Sequence, residues 1–221
     1  SGPAGLGKSF TVEEALENWD PEEENHTVVK GYVKATGLFR TLWEYREKGQ
    51  MIVFDDSDSI FNDDTTLAML KAVTDSTEKR KVSYLADYDM VDSESNIIPR
   101  TFSFEGTIVF ITNLDFDAII EKGNKLAPHM QAMVSRSHYI DLAMKTRRDY
   151  FIRIKQVIKE GLLSSKGLTK SEENKILRFI EQKEDNLREM SLRVAIKLSD
   201  IIKKHPSQFE TIASVTVTKG L

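Results

Sequence analysis

The opening run SGPAGLGKSF carries the pattern G-x-x-x-x-G-K-[ST], with Gly2, Gly7, Lys8 and Ser9 at its fixed positions and Gly5 as an additional glycine. Glycines in such a loop let backbone N–H groups turn inward around phosphate oxygens with no Cβ in the way. The lysine ammonium then reaches the β and γ phosphates, and the serine hydroxyl serves as a ligand to Mg²⁺. The segment Gly2, Pro3, Ala4, Gly5, Leu6, Gly7, Lys8, Ser9 and Phe10 is therefore the candidate nucleotide-binding stretch, with Ser9 also a candidate metal ligand. A glycine-rich turn capping an ordinary helix is the plainer alternative. The helix that the motif requires is expected over TVEEALENW. The buried strand that normally precedes such a loop is missing, so the chain is expected to be a fragment or part of a longer one.

Further along, MIVFDDSDSIF sets four apolar residues ahead of Asp55 and Asp56. A continuous apolar run of that length is expected of a strand buried on both faces of a parallel sheet. Its last residue places a carboxylate at the C-terminal edge of the strands, where α/β folds bind ligands. Asp55 is thus the second candidate Mg²⁺ ligand, and Asp56 the candidate group that orients or deprotonates an attacking water. Asp58 is a neighbouring carboxylate that shares that role in an alternative reading. An acidic cluster after a strand, taken alone, is as often a solvated turn. A second buried run, GTIVFITN, ends in Asn113, whose amide suits holding a water beside a terminal phosphate. SRSHYIDLAM, residues 135–144, is expected to hold a short strand, and AMVSRSHYIDL carries Arg136 just before it.

These groups need a frame. HTVVKGYV alternates as a strand, and TGLFRTLWEYREKG has helical apolar spacing closed by Gly49. TTLAMLKAVTDS reads as a helix, and KVSYLADYD with IIPRTFSF as a hairpin joined by VDSESN. From Thr146 the character changes to three helix-periodic runs, TRRDYFIRIKQVIKEGLL, SEENKILRFIEQKEDN and SLRVAIKLSDIIKKH. Strands alternating with helices imply an α/β parallel-sheet domain over 1–145, and the remainder a small all-helical domain over 146–221.

The order of these pieces resembles the AAA+ ATPases: a phosphate loop, an apolar strand ending in Asp-Asp, a strand ending in Asn, a Ser-Arg before a further strand, and a helical tail. The resemblance spans nearly the whole chain and lies in order and spacing. It implies a P-loop NTPase αβα core with a helical lid, ATP and Mg²⁺ as ligands, and ATP hydrolysis. It also implies a homo-oligomeric ring, by family habit a hexamer, working on a macromolecule, protein or DNA. By resemblance Asn113 is the sensor 1 residue, and Arg136 the arginine finger that serves a neighbouring subunit. Arg193, in the SLR that opens the last long helix of the tail, corresponds to sensor 2. Arg188 competes for that last role, and Arg147 or Arg148 for the finger.

Two features depart from the family pattern. Asp56 stands where the family has a glutamate one methylene longer, which bears on how fast hydrolysis runs. The segment KGYVKATGLFRTLWEY resembles the pore-lining stretch of ring-forming unfoldases, but here Tyr32 and Val33 precede Lys34 rather than glycine. A tyrosine packed in a strand is the plain alternative. The hairpin over 81–104 is a second candidate substrate-contacting element, and its acidic tip suits protein better than a DNA backbone.

Composition narrows the classes further. At 221 residues and 40% hydrophobic, the chain is long enough for a substantial core. A formal net charge of −4 gives no global field toward nucleic acid or an anionic membrane, although it leaves room for a local basic patch. The chain has no cysteine and no apolar run of membrane length, consistent with a cytoplasmic protein that has no membrane partner. Its four histidines are not paired at zinc-ligand spacing. A GTPase reading fails because Asn124-Lys125-Leu126-Ala127 lacks the base-recognising aspartate. A small-molecule kinase has no use for the Asn113 strand end or the arginine-bearing tail. The remaining alternative is a module that binds on ATP and hydrolyses it weakly. The general flavour of the Asp-rich strand end resembles bacterial or phage members.

Overall fold

In the computed structural model, residues 1–142 and 144–220 are described, and they form a mixed α/β arrangement. Two compact units divide it. Ser1–Gly2 with Lys8–Asp141 make the first, and Pro3–Gly7 with Leu142–Leu221 the second. The expected division at 145/146 falls a few residues later than this one.

The first unit is built on three parallel strands, β1 (His26–Lys30), β2 (Met51–Asp55) and β3 (Thr107–Ile111), in the order β1-β2-β3. Val28 pairs in register with Val53, and Val53 with Val109. Alternation along β2 sends its side chains to opposite faces, as strand geometry demands. Ile52 and Phe54 join Leu38, Phe39 and Leu42 of α2 (Ala35–Glu44) and Leu67 and Leu70 of α3 (Asp64–Val73) in the main core. Val53 and Ile111 pack with Leu16 of α1 (Lys8–Trp19) in a separate cluster. Because both faces of β2 are covered, its sequence is continuously apolar rather than alternating.

The hairpin forms as expected. The short strands Lys81–Ser83 and Thr101–Ser103 pair antiparallel, with a further bridge between Val91 and Ile97. Toward its tip Leu85 and Ile97 stand exposed.

Several expectations are corrected. The strand expected over 135–144 does not form among the described residues: α4 (Phe116–Glu121) and α5 (Ala127–Arg136) precede it, and 137–142 has no regular structure. That segment finds no strand to pair with, and Ile140 and Leu142 are exposed instead of packed. Arg136 is therefore the last residue of a helix, not the lead-in to a strand. The β1 strand stops at Lys30 because Gly31 takes φ of +90°, so Tyr32 and Val33 lie outside it. Tyr32 is 78% exposed, which removes the packed-tyrosine alternative. Helix α2 ends at Glu44, several residues before Gly49.

The second unit is helical: α6 (Arg147–Lys159), α7 (Lys170–Gln182), α8 (Leu192–Lys204) and α9 (Phe209–Val217). Thr146 and Asp149 form one capping box and Thr169 and Glu172 another, each satisfying N–H groups that a helix start leaves unpaired. Phe151, Ile154, Ile158, Ile176, Ile180, Leu198 and Phe209 make its core.

Candidate functional site

Three separated segments of the first unit, the start of α1, the end of β2 and the residues after β3, bring the candidate side chains together. Lys8, at the start of α1, donates to the carbonyl oxygen of Gly2 at 2.6 Å and to Oδ1 of Asn113 at 2.8 Å. Asn113, two residues past β3, donates through Nδ2 to Oδ1 of Asp56 at 2.8 Å. Next along α1, the Ser9 hydroxyl donates to Oδ1 of Asp55 at 2.9 Å. Asp55 closes β2 and is buried. Parallel pairing dictates this convergence: β2 and β3 run the same way in register, so the residues after them emerge at the same sheet edge.

Asp56 sits in the left-handed region at φ +50°, an unusual conformation for a residue other than glycine. Its N–H donates to the carbonyl of Ile111 at 3.1 Å, so the turn is fixed from β3 as well as by Asn113. Strained backbone of this kind concentrates at functional sites. Asp58 is engaged elsewhere. Its Oδ1 accepts from the Thr112 hydroxyl at 2.6 Å, which leaves Asp56 the better-placed carboxylate beside Asn113.

One residue here was not flagged by the sequence. Lys30, the last residue of β1, lies 3.4 Å from Oδ2 of Asp55 and is hydrogen-bonded to Glu13 of α1. The Glu13 carboxylate holds the lysine above its ordinary pKa, with burial opposing and Asp55 adding a smaller push upward. Register explains the contact, since Lys30 is the residue paired with Asp55 across β1 and β2. The signal was available only as a lysine at a strand's end, which sequence alone cannot aim.

Ser9 and Asp55 offer one neutral and one anionic oxygen to a cation. Among the described residues no group of three or more His, Cys, Asp or Glu could hold a metal. That donor set fits a hard ion such as Mg²⁺, which binds few protein oxygens and keeps waters and substrate phosphates as its other ligands.

The candidate loop is divided between the units. In the second unit, Gly5 has φ +78°, and a Cβ there would stand 2.6 Å from Cβ of Ser191, so only glycine fits. The Gly5 carbonyl accepts from the N–H of Leu192 at 2.8 Å, at the start of α8, and Leu6 is buried. Arg193, one residue further, lines a cavity of about 350 Å³ with Ala4, Arg147, Tyr150, Glu189, Met190 and Ser191. Phe10, in α1, is 60% exposed.

The competing arginines are occupied. Arg147 donates to the carbonyls of Glu184 and Leu187 at 2.7 and 2.8 Å, Arg148 meets Glu181 at 3.2 Å, and Arg188 donates to the carbonyl of Thr218 at 2.7 Å. Arg136, in the first unit, has its Nε 3.9 Å from Asp75.

Compared with models of known protein families, the chain matches none. It is 37% identical over 216 residues to an uncharacterized 36.7 kDa protein from the nrdC-mobD intergenic region of Enterobacteria phage T4. The similarity covers 97% of this chain and 66% of that protein's length. No described helix is long and apolar enough to cross a membrane.

Proposed function

We propose that this chain binds ATP with Mg²⁺ and hydrolyses it as a P-loop ATPase of the AAA+ type. In this reading it works as a cytoplasmic homo-oligomeric ring, a hexamer by resemblance, on a protein or DNA substrate. The observation that carries the reading is the convergence of Lys8, Ser9, Asp55, Asp56 and Asn113, from separate segments of the first unit, into two hydrogen-bonded sets, Lys8–Asn113–Asp56 and Ser9–Asp55, carried by neighbouring residues. Lys8 would release Asn113 and Gly2 to hold the β and γ phosphates. Ser9 and Asp55 would hold Mg²⁺, which supplies charge neutralisation to the phosphates when bound. Asn113 would position the water and Asp56 accept its proton. Arg136 is the candidate finger for a neighbouring subunit, and Arg193 the candidate lid contact. Exposed Tyr32 and the apolar hairpin residues Leu85 and Ile97 favour a protein as the substrate that the first unit touches.

A second reading, a module gated by ATP with weak turnover, is favoured by one observation. Asp56 is shorter than the glutamate usual at this place, and its Oδ1 is already held by Asn113.

Calorimetric titration with ATP tests the binding half of the proposal. Wild type is expected to bind, and Lys8→Ala to lose about a hundredfold or more in affinity, the loss of two charge-assisted hydrogen bonds at roughly 1.5 kcal/mol each. Equal affinity in the two proteins would remove the phosphate-loop assignment.

A further inference from the structure

The near-neutral total charge conceals an asymmetry. Of the chain's 31 Lys and Arg and 35 Asp and Glu, residues 142–221 hold 17 and 10, leaving 14 and 25 in residues 1–141. The formal charges are thus +7 for the C-terminal stretch and −11 for the rest. An imbalance of that kind between halves points to a polyanion as partner of the basic one.

Within the second unit the excess is organised on α6 and α7. Joined by 160–169 and linked where Arg148 in the first turn of α6 meets Glu181 in the last turn of α7, the two helices run antiparallel. Residues 148, 152, 155 and 159 recur at the spacing of one helix face. Arg148, Ile152, Lys155 and Lys159 are all exposed, Ile152 by 55%. Lys155 and Lys159 follow each other at about 6 Å along the axis, four residues at 1.5 Å. On α7, exposed Arg178 lies one turn before Glu181, on the ridge that faces Arg148.

Of the acidic groups of these helices, Glu173 and Glu181 are ion-paired with Lys170 and Arg148, while Asp149, Glu172 and Glu160 accept hydrogen bonds from the neutral groups of Thr146, Thr169 and Gln156 and lie outside the 148, 152, 155 and 159 face. Among the described residues no ion pair involves Lys155, Lys159 or Arg178. The face therefore presents uncompensated cations around one exposed apolar side chain.

We propose that this α6–α7 face binds the phosphate backbone of nucleic acid without reading its sequence. Fixed cations release the counterions condensed on phosphates, and that gain is independent of the bases. The rival occupant is the acidic first unit of a second copy of this chain. Nucleic acid is favoured because Lys155, Lys159 and Arg178 are exposed cations outside any ion pair among the described residues, set in a run that a regularly charged phosphate backbone matches. The inference does not rest on the ATPase reading, and its test needs no nucleotide.

Fluorescence anisotropy with a labelled DNA duplex and the matching single strand, in a salt series, measures the binding, and light scattering on the same samples measures self-association. Wild type is expected to bind both DNA forms. K155Q/K159Q/R178Q should weaken binding at least about tenfold near 0.1 M salt and flatten the slope of log K against log[salt] by about 2.7 for duplex and about 2.1 for single strand. The charge-preserving K155R/K159R/R178K should bind as wild type does, which separates lost charge from lost folding. K166Q/K204Q/K219Q removes equal charge elsewhere on the second unit and should leave binding unchanged. The inference is overturned if wild type does not bind DNA, if both glutamine triples weaken binding alike, or if the α6–α7 triple loses self-association while its DNA affinity stays the same.

Discussion

Asp56→Asn is expected to bind ATP as wild type does and to release phosphate about 10² to 10⁴ times more slowly, the usual contribution of a general base. The substitution is isosteric. Its amide oxygen still accepts from Asn113 Nδ2, so the geometry that sets Asn113 at 2.8 Å from Oδ1 is retained. What it removes is the ability to take a proton. The turn is pinned independently by the Asp56 N–H to the Ile111 carbonyl, and asparagine tolerates the left-handed conformation at φ +50° at least as well as aspartate. A loss of turnover would therefore report chemistry, with thermal stability unchanged as the control. Asp58 cannot readily substitute, since its carboxylate is engaged by Thr112 at 2.6 Å. Asp56→Glu restores the longer carboxylate of the resembled family and is expected to match or exceed wild-type turnover. Wild-type rates in Asp56→Asn would move the base to another group.

Arg136→Ala is expected to bind ATP and to turn it over about a thousandfold more slowly, the lower range for an arginine supplied to a phosphoryl-transfer site by a neighbour. Its place at the C-terminal end of α5 suits a mobile cation, because the helix dipole favours positive charge there. The restraint it carries is slight. A partly exposed pair at 3.9 Å from Asp75 contributes roughly 0 to 1 kcal/mol, which a contact with a neighbouring phosphate outweighs. If the arginine acts between subunits, specific activity in wild type rises with protein concentration as rings assemble. Turnover independent of concentration, with Arg136→Ala equal to wild type, would remove both the finger and the ring from the account.

The sequence exposed the parts of this fold whose chemistry is local. MIVF announces its strand because both faces are covered, and the helical apolar spacing of the tail announces α6, α7 and α8. Asp55 and Asn113 were legible because each follows a buried apolar run. The missed features are relational. Whether the described part of SRSHYIDLAM becomes a strand depends on a neighbour to pair with, and among the described residues 137–142 pairs with no strand. Lys30 reaches Asp55 only through inter-strand register, and the commitment of Asp58 to Thr112 only through the meeting of two strand ends. Helix α5 was hidden by weak periodicity around His129 and Gln131, and α9 by a run of Thr, Ser and Val with poor intrinsic helix preference. The basic face of α6 and α7 is visible in sequence only after their relative direction is known.

Phosphate release from ATP, with Mg²⁺ and with EDTA, in wild type beside Asp55→Ala, decides whether the Lys8–Asn113–Asp56 and Ser9–Asp55 contacts form an ATP-hydrolysing site. Wild type is expected to release phosphate only when Mg²⁺ is present, and Asp55→Ala to release at most a background amount even though that protein still binds nucleotide. Release that persists in EDTA, or an Asp55→Ala protein as active as wild type, would rule out a Mg²⁺-dependent ATPase site at these residues.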